Sequence, residues 1–233
     1  MSGMSLSKLP VPLLLLWFVS MASLAAQPVI TDVSIPDASM KINDVVTATI
    51  SVQSDSATTY TLNASNIGGY ALGSLEKWNS TTYTAQFTIT EGGTDYAAAA
   101  DIAVSVELAD GGLTNTWTTP ISQANDPIDA NRPTDPTLSS SSHTVNVWDN
   151  NDTVGIDVSG ASDPGGSGVD GFEHEWDQNA TWTPTETKEV EEIWTGATFT
   201  ATANGDWYFH IATVDNAGNW TSTEHLGPFQ IDT

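Results

Sequence analysis

The sequence contains no cysteine, and only five of its 233 residues are lysine or arginine. Without cysteine there is no disulfide, no thiolate nucleophile and no lipid-anchoring thiol. An exported chain of this kind has to bury a real core in each of its modules, and about 100 residues is enough for that. The few basic residues face 29 acidic ones, for a formal net charge of −24. Nucleic acid and anionic membrane surfaces both demand basic patches, so neither is an expected partner. Helical periodicity is almost absent beyond the first 26 residues. No second apolar stretch reaches spanning length, which excludes membrane insertion once the leader is removed. The acidity itself admits three readings. They are a solvated surface that keeps the chain soluble, a salt-rich environment that screens self-repulsion, and divalent cation binding by aspartate clusters.

The first segment reads as a signal peptide over residues 1–26. Lys8 precedes the apolar run Leu13-Leu14-Leu15-Leu16-Trp17-Phe18-Val19, and the small residues Ala22-Ser23-Leu24-Ala25-Ala26 come after it. A positive start, a short apolar stretch and an A-x-A-like exit are the marks of secretion. The alternative is an uncleaved anchor, which Pro10, Pro12 and the shortness of the run disfavour. The expected location is secreted, extracellular or at the cell surface. Cleavage removes Lys8 and leaves 4 basic against 29 acidic residues, a balance of −25.

Beyond the leader, short runs alternate with period two. Val46-Thr47-Ala48-Thr49-Ile50-Ser51-Val52, Tyr83-Thr84-Ala85-Gln86-Phe87-Thr88-Ile89 and Ile102-Ala103-Val104-Ser105-Val106-Glu107-Leu108 are examples in the first half. Val154-Gly155-Ile156-Asp157-Val158 and Trp207-Tyr208-Phe209-His210-Ile211 are examples in the second. Clusters of Gly, Asn, Asp and Pro separate them. This pattern predicts antiparallel sheets with one buried face, at the density of a β-sandwich. The stretch from Asp126 to Pro136 holds three prolines and no strand pattern, and so reads as a stiff, extended linker. The expected organisation is residues 27–125 as one module, 126–136 as the linker and 137–233 as a second module. The fold class is all-β, two tandem immunoglobulin-like antiparallel β-sandwiches.

Particular stretches carry a family resemblance. Ser167-Gly168-Val169-Asp170-Gly171-Phe172 and the run from Asn204 to Trp220, with Asp215-Asn216-Ala217-Gly218-Asn219 inside it, are the matching parts of the second half. That half resembles the immunoglobulin-like and fibronectin type III-like modules of large secreted and surface proteins of bacteria and archaea. Trp207 stands where the family pattern has tyrosine, and Thr213 where alanine is usual. The first half is similar to repeats of tandem-module adhesins. It matches at Ser34-Ile35-Pro36-Asp37, Asp44 to Ile50, Gly68-Gly69-Tyr70 and Thr90 to Tyr96. The resemblance implies the sandwich fold. Such modules serve as spacers, adhesive heads and enzyme appendages, so fold alone does not select among these roles. The chain stops where a linker to a further module would begin, so the expectation is either a fragment of a longer protein with further modules or a short relative of such an array.

Gly166-Ser167-Gly168-Val169-Asp170-Gly171 has the spacing of a dinucleotide-binding fingerprint. The next residues, Phe172-Glu173-His174-Glu175-Trp176-Asp177, alternate as a strand and put three acids on its outer face. A phosphate cradle needs a helix N-terminus there, so nucleotide binding is rejected. Calcium is the better candidate. Asp163 and Asp170 flank the loop, and Asp126, Asp129 and Asp135 lie along the linker, all offering hard oxygen ligands. Asp149-Asn150-Asn151-Asp152 is a third oxygen-rich run. The competing reading makes all of these ordinary turn residues, and gives Asp215 a loop-ordering role as a hydrogen-bond acceptor. His143, His174, His210 and His225 have no zinc-ligand spacing and read as structural. There is no G-x-S-x-G frame, and catalysis is not expected. Trp182 and Trp194, in polar surroundings, are the candidates for a glycan-stacking platform. The expected function is a non-enzymatic exported modular protein for adhesion, display or spacing. Its partners would be glycans or other cell-surface proteins, and structural calcium is its candidate cofactor. The alternative is a carbohydrate-binding accessory module of a secreted hydrolase.

Overall fold

A computed structural model describes residues 25–54, 59–124 and 127–233. The apolar run of the expected leader and Asp126 therefore lie outside the described residues. Those residues form strands, turns and loops, and among them no helix is long and apolar enough to cross a membrane.

The principal strands of the first module are β1 (Ile30–Ser34), β2 (Val45–Val52), β3 (Asn66–Ile67), β4 (Tyr70–Ala71), β5 (Glu76–Lys77), β6 (Thr82–Thr88), β7 (Val104–Asp110) and β8 (Leu113–Trp117). One sheet runs β1-β2-β6-β5 and the other β8-β7-β3-β4. This is the order of an immunoglobulin-type sandwich, with the first, second, sixth and fifth of these strands in one sheet facing the other four. The period-two sequence explains it. Val46, Ala48, Ile50 and Val52 all point inward, and across the ladder Phe87, Ala85 and Tyr83 lie opposite the first three. Ile67, Val106 and Leu108 close the core from the facing sheet, all three fully buried.

The second module contains β9 (Thr137–Ser139), β10 (Trp148–Asp149), β11 (Thr153–Ser159), β12 (Val169–Asp177), β13 (Val190–Glu191), β14 (Gly196–Thr200), β15 (Gly205–Asp215) and β16 (Glu224–Ile231). Its sheets run β9-β11-β14 and β10-β16-β15-β12-β13, with β10 parallel to β16. The core is aromatic. Trp176 stacks on Trp207 with centroids 5.3 Å apart, and Phe199 lies 5.2 Å from Phe209. The two cores share no residue, so each module is packed in its own right.

Two positions differ from the sequence expectation. Alternation predicts Glu173 on an open outer face, yet it is buried. Its carboxylate accepts from the Thr185 amide and hydroxyl at 2.8 Å and from the Thr187 amide at 3.1 Å, which ties the loop before β13 across that face. The stretch that reads as a free linker is not free either. Ile128–Asp129 pairs in parallel with Met40–Lys41, and Ile128 and Ala130 are buried in the first module's core. The reason is alternation: side chains two apart share a face, so burying Ile128 and Ala130 turns Asp129 the other way, towards the second module.

Phe209 is fully buried at the centre of the second core. Phe209→Ala should cost about 3–5 kcal/mol by loss of burial and the cavity left behind. Urea unfolding monitored by tryptophan fluorescence measures it, because six of the nine tryptophans lie beyond the linker.

Candidate metal centre

The loop between β11 and β12 contains Asp163 and four glycines. The end of β15 and the loop after it contain Asp215-Asn216-Ala217-Gly218-Asn219. The fold brings the two loops against each other and against Asp129. Asn216 donates through Nδ2 to the carbonyls of Ser167 and Gly168, both at 3.0 Å, and the Ala217 amide donates to Ser167 Oγ at 2.9 Å. Asp129 reaches across to accept from the Ser167 amide at 2.6 Å. Asp163 accepts from the Gly168 amide at 2.7 Å, closing its own loop.

The result is a cluster of three carboxylates, Asp129, Asp163 and Asp215, each offering an oxygen within 4.8 Å of the others. Asp129 is 0% exposed and Asp215 1%, while Asp163 is half-buried. Asp163 Oδ1 is buried and has no hydrogen-bond partner. Gly166 is required beside it. A Cβ there would lie 2.5 Å from both Asp163 oxygens and 2.8 Å from Asp129 Oδ2. Asp95 forms the next layer, accepting from the Ala130 amide at 2.8 Å and from Asn131 Nδ2 at 2.7 Å.

Crowding sets the electrostatics. Burial, then the charges of Asp129 and Asp95, pushes the Asp163 carboxyl above its ordinary value, although the Gly168 amide opposes the shift. Burial and then Asp129 raise Asp215 likewise, against the hydrogen bonds from Asn219. The field reaches Tyr70, whose hydroxyl is pushed up to about 12, first by burial and then by Asp95 and other neighbours including Asp129.

Asn219, buried beside Asp215, joins the modules. Its Oδ1 accepts from the Ile42 amide at 2.9 Å, and its Nδ2 donates to Asp215 Oδ2 at 2.9 Å and the Asp129 carbonyl at 3.2 Å. Lys41 Nζ donates to the Gly218 carbonyl at 2.8 Å, and Arg132 Nη1 to the Trp220 carbonyl at 2.6 Å. Arg132 also pairs with Glu91 at 3.1 Å.

The candidates from sequence are thus redistributed. Asp163 and Asp129, assigned to separate clusters, meet in one. Asp170 instead pairs with Lys188 at 2.8 Å, and Asp135 is exposed on the linker. Asp215 does order its loop, accepting from the Ala217 and Asn219 amides, and it also completes the carboxylate cluster. Its sequence signal is present but divided, since the two stretches that carry the family resemblance are the two loops that meet. Trp182 and Trp194 lie on opposite faces of one sheet and form no common platform. Trp194 packs inward, 6.3 Å from Phe172 and 5.0 Å from His174. Trp182 covers the buried His210, which faces His225 across the strands and lies 3.0 Å from the Asn179 carbonyl.

No protein-family model and no curated relative matches the sequence. Among solved structures, the chain is similar to fibronectin(III)-like modules of Clostridium thermocellum CbhA, at 14% identity over 86% of this chain and 94% of that one, with a TM-score of 0.35. It is similar to the Yersinia pseudotuberculosis adhesin InvE at 13% identity over 86% and 59% of the two chains, with a TM-score of 0.29. The tandem Ig repeats of Dlar align at 10% identity over 88% and 96%, with a TM-score of 0.24. The strand order of this chain itself defines the sandwich fold.

The raised carboxyls fix the sign of a pH effect. Between 3.8, the ordinary value, and the raised folded values, the folded chain holds more protons than the unfolded chain, so stability falls as pH rises through that window. In metal-free buffer the melting temperature should therefore rise as pH is lowered through the raised folded values towards the ordinary carboxylate range. Asp163→Asn removes one of the crowded charges, and calorimetry should then find a higher melting temperature at pH 7 and a smaller pH response.

Proposed function

We propose that this chain is a non-enzymatic, exported modular protein for adhesion, display or spacing at the cell surface. Its two sandwiches are locked at their junction by a calcium ion held by Asp129, Asp163 and Asp215. The observation that carries this reading is the meeting of three carboxylates from the linker and two loops at the point where the modules touch. All the donors are hard oxygens, which suits calcium and excludes a soft-metal site. Asp129 is anchored to the first module through Ile128, and Asp163 and Asp215 belong to the second. An ion there would neutralise like charges that are otherwise desolvated, engage the orphan oxygen of Asp163 and couple the two bodies. A spacer needs such coupling, because a two-module chain transmits distance only if its joint resists bending.

Other features agree with a structural role. Glu173 and His210, two of the buried groups with catalytic chemistry, use their polar atoms to hold loops of the fold. The leader-like segment and the acidity suit export and a solvated surface. The carbohydrate-binding alternative has to rest on a surface other than Trp182 and Trp194.

Calcium at about a hundredfold excess over its Kd should stabilise the chain by about 2.7 kcal/mol. For a chain of this size that is a rise of about 5–10 °C in melting temperature. The rise should vanish in EDTA and in Asp215→Asn. Small-angle scattering should find one narrow distribution of overall dimensions in calcium and a broader one in EDTA. An unchanged melting curve and an unchanged scattering profile would together sink the calcium-locked spacer.

A further inference from the structure

The outer face of the β1-β2-β6-β5 sheet carries a row of hydrogen-bonding side chains. Alternation places Thr47, Thr49 and Ser51 of β2 on it, and beside them Thr82, Thr84 and Gln86 of β6, opposite their buried neighbours. Glu76 of β5 lies across from Thr84 and shares the face. Thr47, Gly73, Ser74, Glu76, Thr84, Ala85 and Gln86 line a groove of about 410 Å³ there. Its polar groups are hydroxyls, one amide and one carboxylate, and Gln86 Nε2 donates to Thr47 Oγ1 at 3.1 Å.

One aromatic ring stands at the end of this face. The Trp78 amide donates to the Thr82 carbonyl at 3.0 Å, so the residue continues the β5–β6 ladder and its side chain shares the face of Glu76, two positions away. Trp78 is 79% exposed. The turn beyond it is fixed, because Asn79 Oδ1 accepts from the Thr81 amide at 2.8 Å and the Thr81 hydroxyl at 3.0 Å. A large apolar ring is thus held in solvent on a defined hairpin, next to a groove of hydrogen-bonding groups.

We propose that this face binds a neutral polysaccharide, with Trp78 as the stacking platform and Glu76, Gln86 and the threonines of the groove as partners for sugar hydroxyls. A sugar offers both an apolar C–H side for a ring and a rim of hydroxyls, and this face offers the complement of each. The other classes of occupant fit less well. A protein partner needs a contiguous apolar core to its interface, and here Trp78 and the exposed Val45 stand at opposite ends of a polar face. A net charge of −24 opposes acidic polysaccharides and nucleic acid alike. Trp78 stands at the end of this face away from the carboxylate junction, since β6 begins beside Trp78 and ends at a turn whose Gly92 amide donates to the Ala130 carbonyl of the linker at 2.9 Å. Binding is therefore independent of calcium.

Native electrophoresis of the full chain through gels containing hydroxyethyl cellulose, xyloglucan or galactomannan tests this, with alginate as the acidic control. Each gel is run in calcium and in EDTA. Retardation is expected in at least one neutral gel under both conditions, and none in alginate. Trp78→Ala should weaken binding about tenfold or more, the loss of one aromatic contact and its buried area. Gln86→Ala should weaken it about threefold, and Trp148→Ala, at an exposed tryptophan of the other module, should leave it unchanged. Migration unaffected by every neutral polymer, equal retardation in alginate, or full binding by Trp78→Ala would overturn the proposal. Because the readout is taken in EDTA as well, its failure is distinct from failure of the calcium-locked junction.

Discussion

Burying like charges together is the constraint around which the centre of this molecule is built. Asp129 and Asp215 are almost wholly removed from water, and Asp163 reaches in beside them. An isolated buried carboxylate is costly, and charges of one sign compound the cost. The chain offsets part of it with backbone amides. The amides of Asn131, Ser167, Gly168, Ala217 and Asn219 all donate to these three side chains. Each amide belongs to a loop whose shape is thereby fixed, so the electrostatic demand of the cluster dictates the conformation of both loops. The cations nearby are engaged elsewhere, Lys41 on the Gly218 carbonyl and Arg132 on Trp220 and Glu91. The remaining negative potential is what a divalent cation would use.

The junction differs in kind from the modules it joins. Inside each sandwich, stability comes from apolar burial, with Tyr83 and Phe87 on one side and the Trp176, Trp207, Phe199 and Phe209 cluster on the other. Between them the contacts are hydrogen bonds through Asn219, Lys41 and Arg132. Apolar cores are indifferent to ionic conditions over a wide range, whereas a polar, charged joint is not. The crowded carboxylates therefore stand at the one place where bending would occur.

The surface is divided in a similar way. Most large aromatic rings of the second module are used internally, and Trp182 and Trp194 close over His210 and Phe172 rather than facing a ligand. Trp78 stands out against this, with its ring in solvent at the far end of the first module. A binding face at one end and a stiffened joint behind it would make a coherent display device, in which position and recognition are separately tunable.

The alternation of Val46 to Val52, Tyr83 to Ile89 and Trp207 to Ile211 determined the sheets, because side chains two apart must share a face and only one face was apolar. The absence of cysteine and the scarcity of lysine and arginine determined that cores and acidic loops would do the work. The sequence also put Asp163 and Asp129 among the ligand candidates, and it named Asp215 as an acceptor for its own loop. It could not join them. Asp129 lies 34 positions before Asp163 and 86 before Asp215, and nothing in local pattern links residues so far apart. Only the tertiary structure decided that they meet. It did so by pairing Ile128–Asp129 with Met40–Lys41, and by seating Asn219 between Ile42 and Asp215. The same holds for tryptophan. Composition supplies the rings, but whether a ring is wall or platform depends on which strand face it occupies and on what packs across it, and that is settled by the sheets and not by the residues on either side.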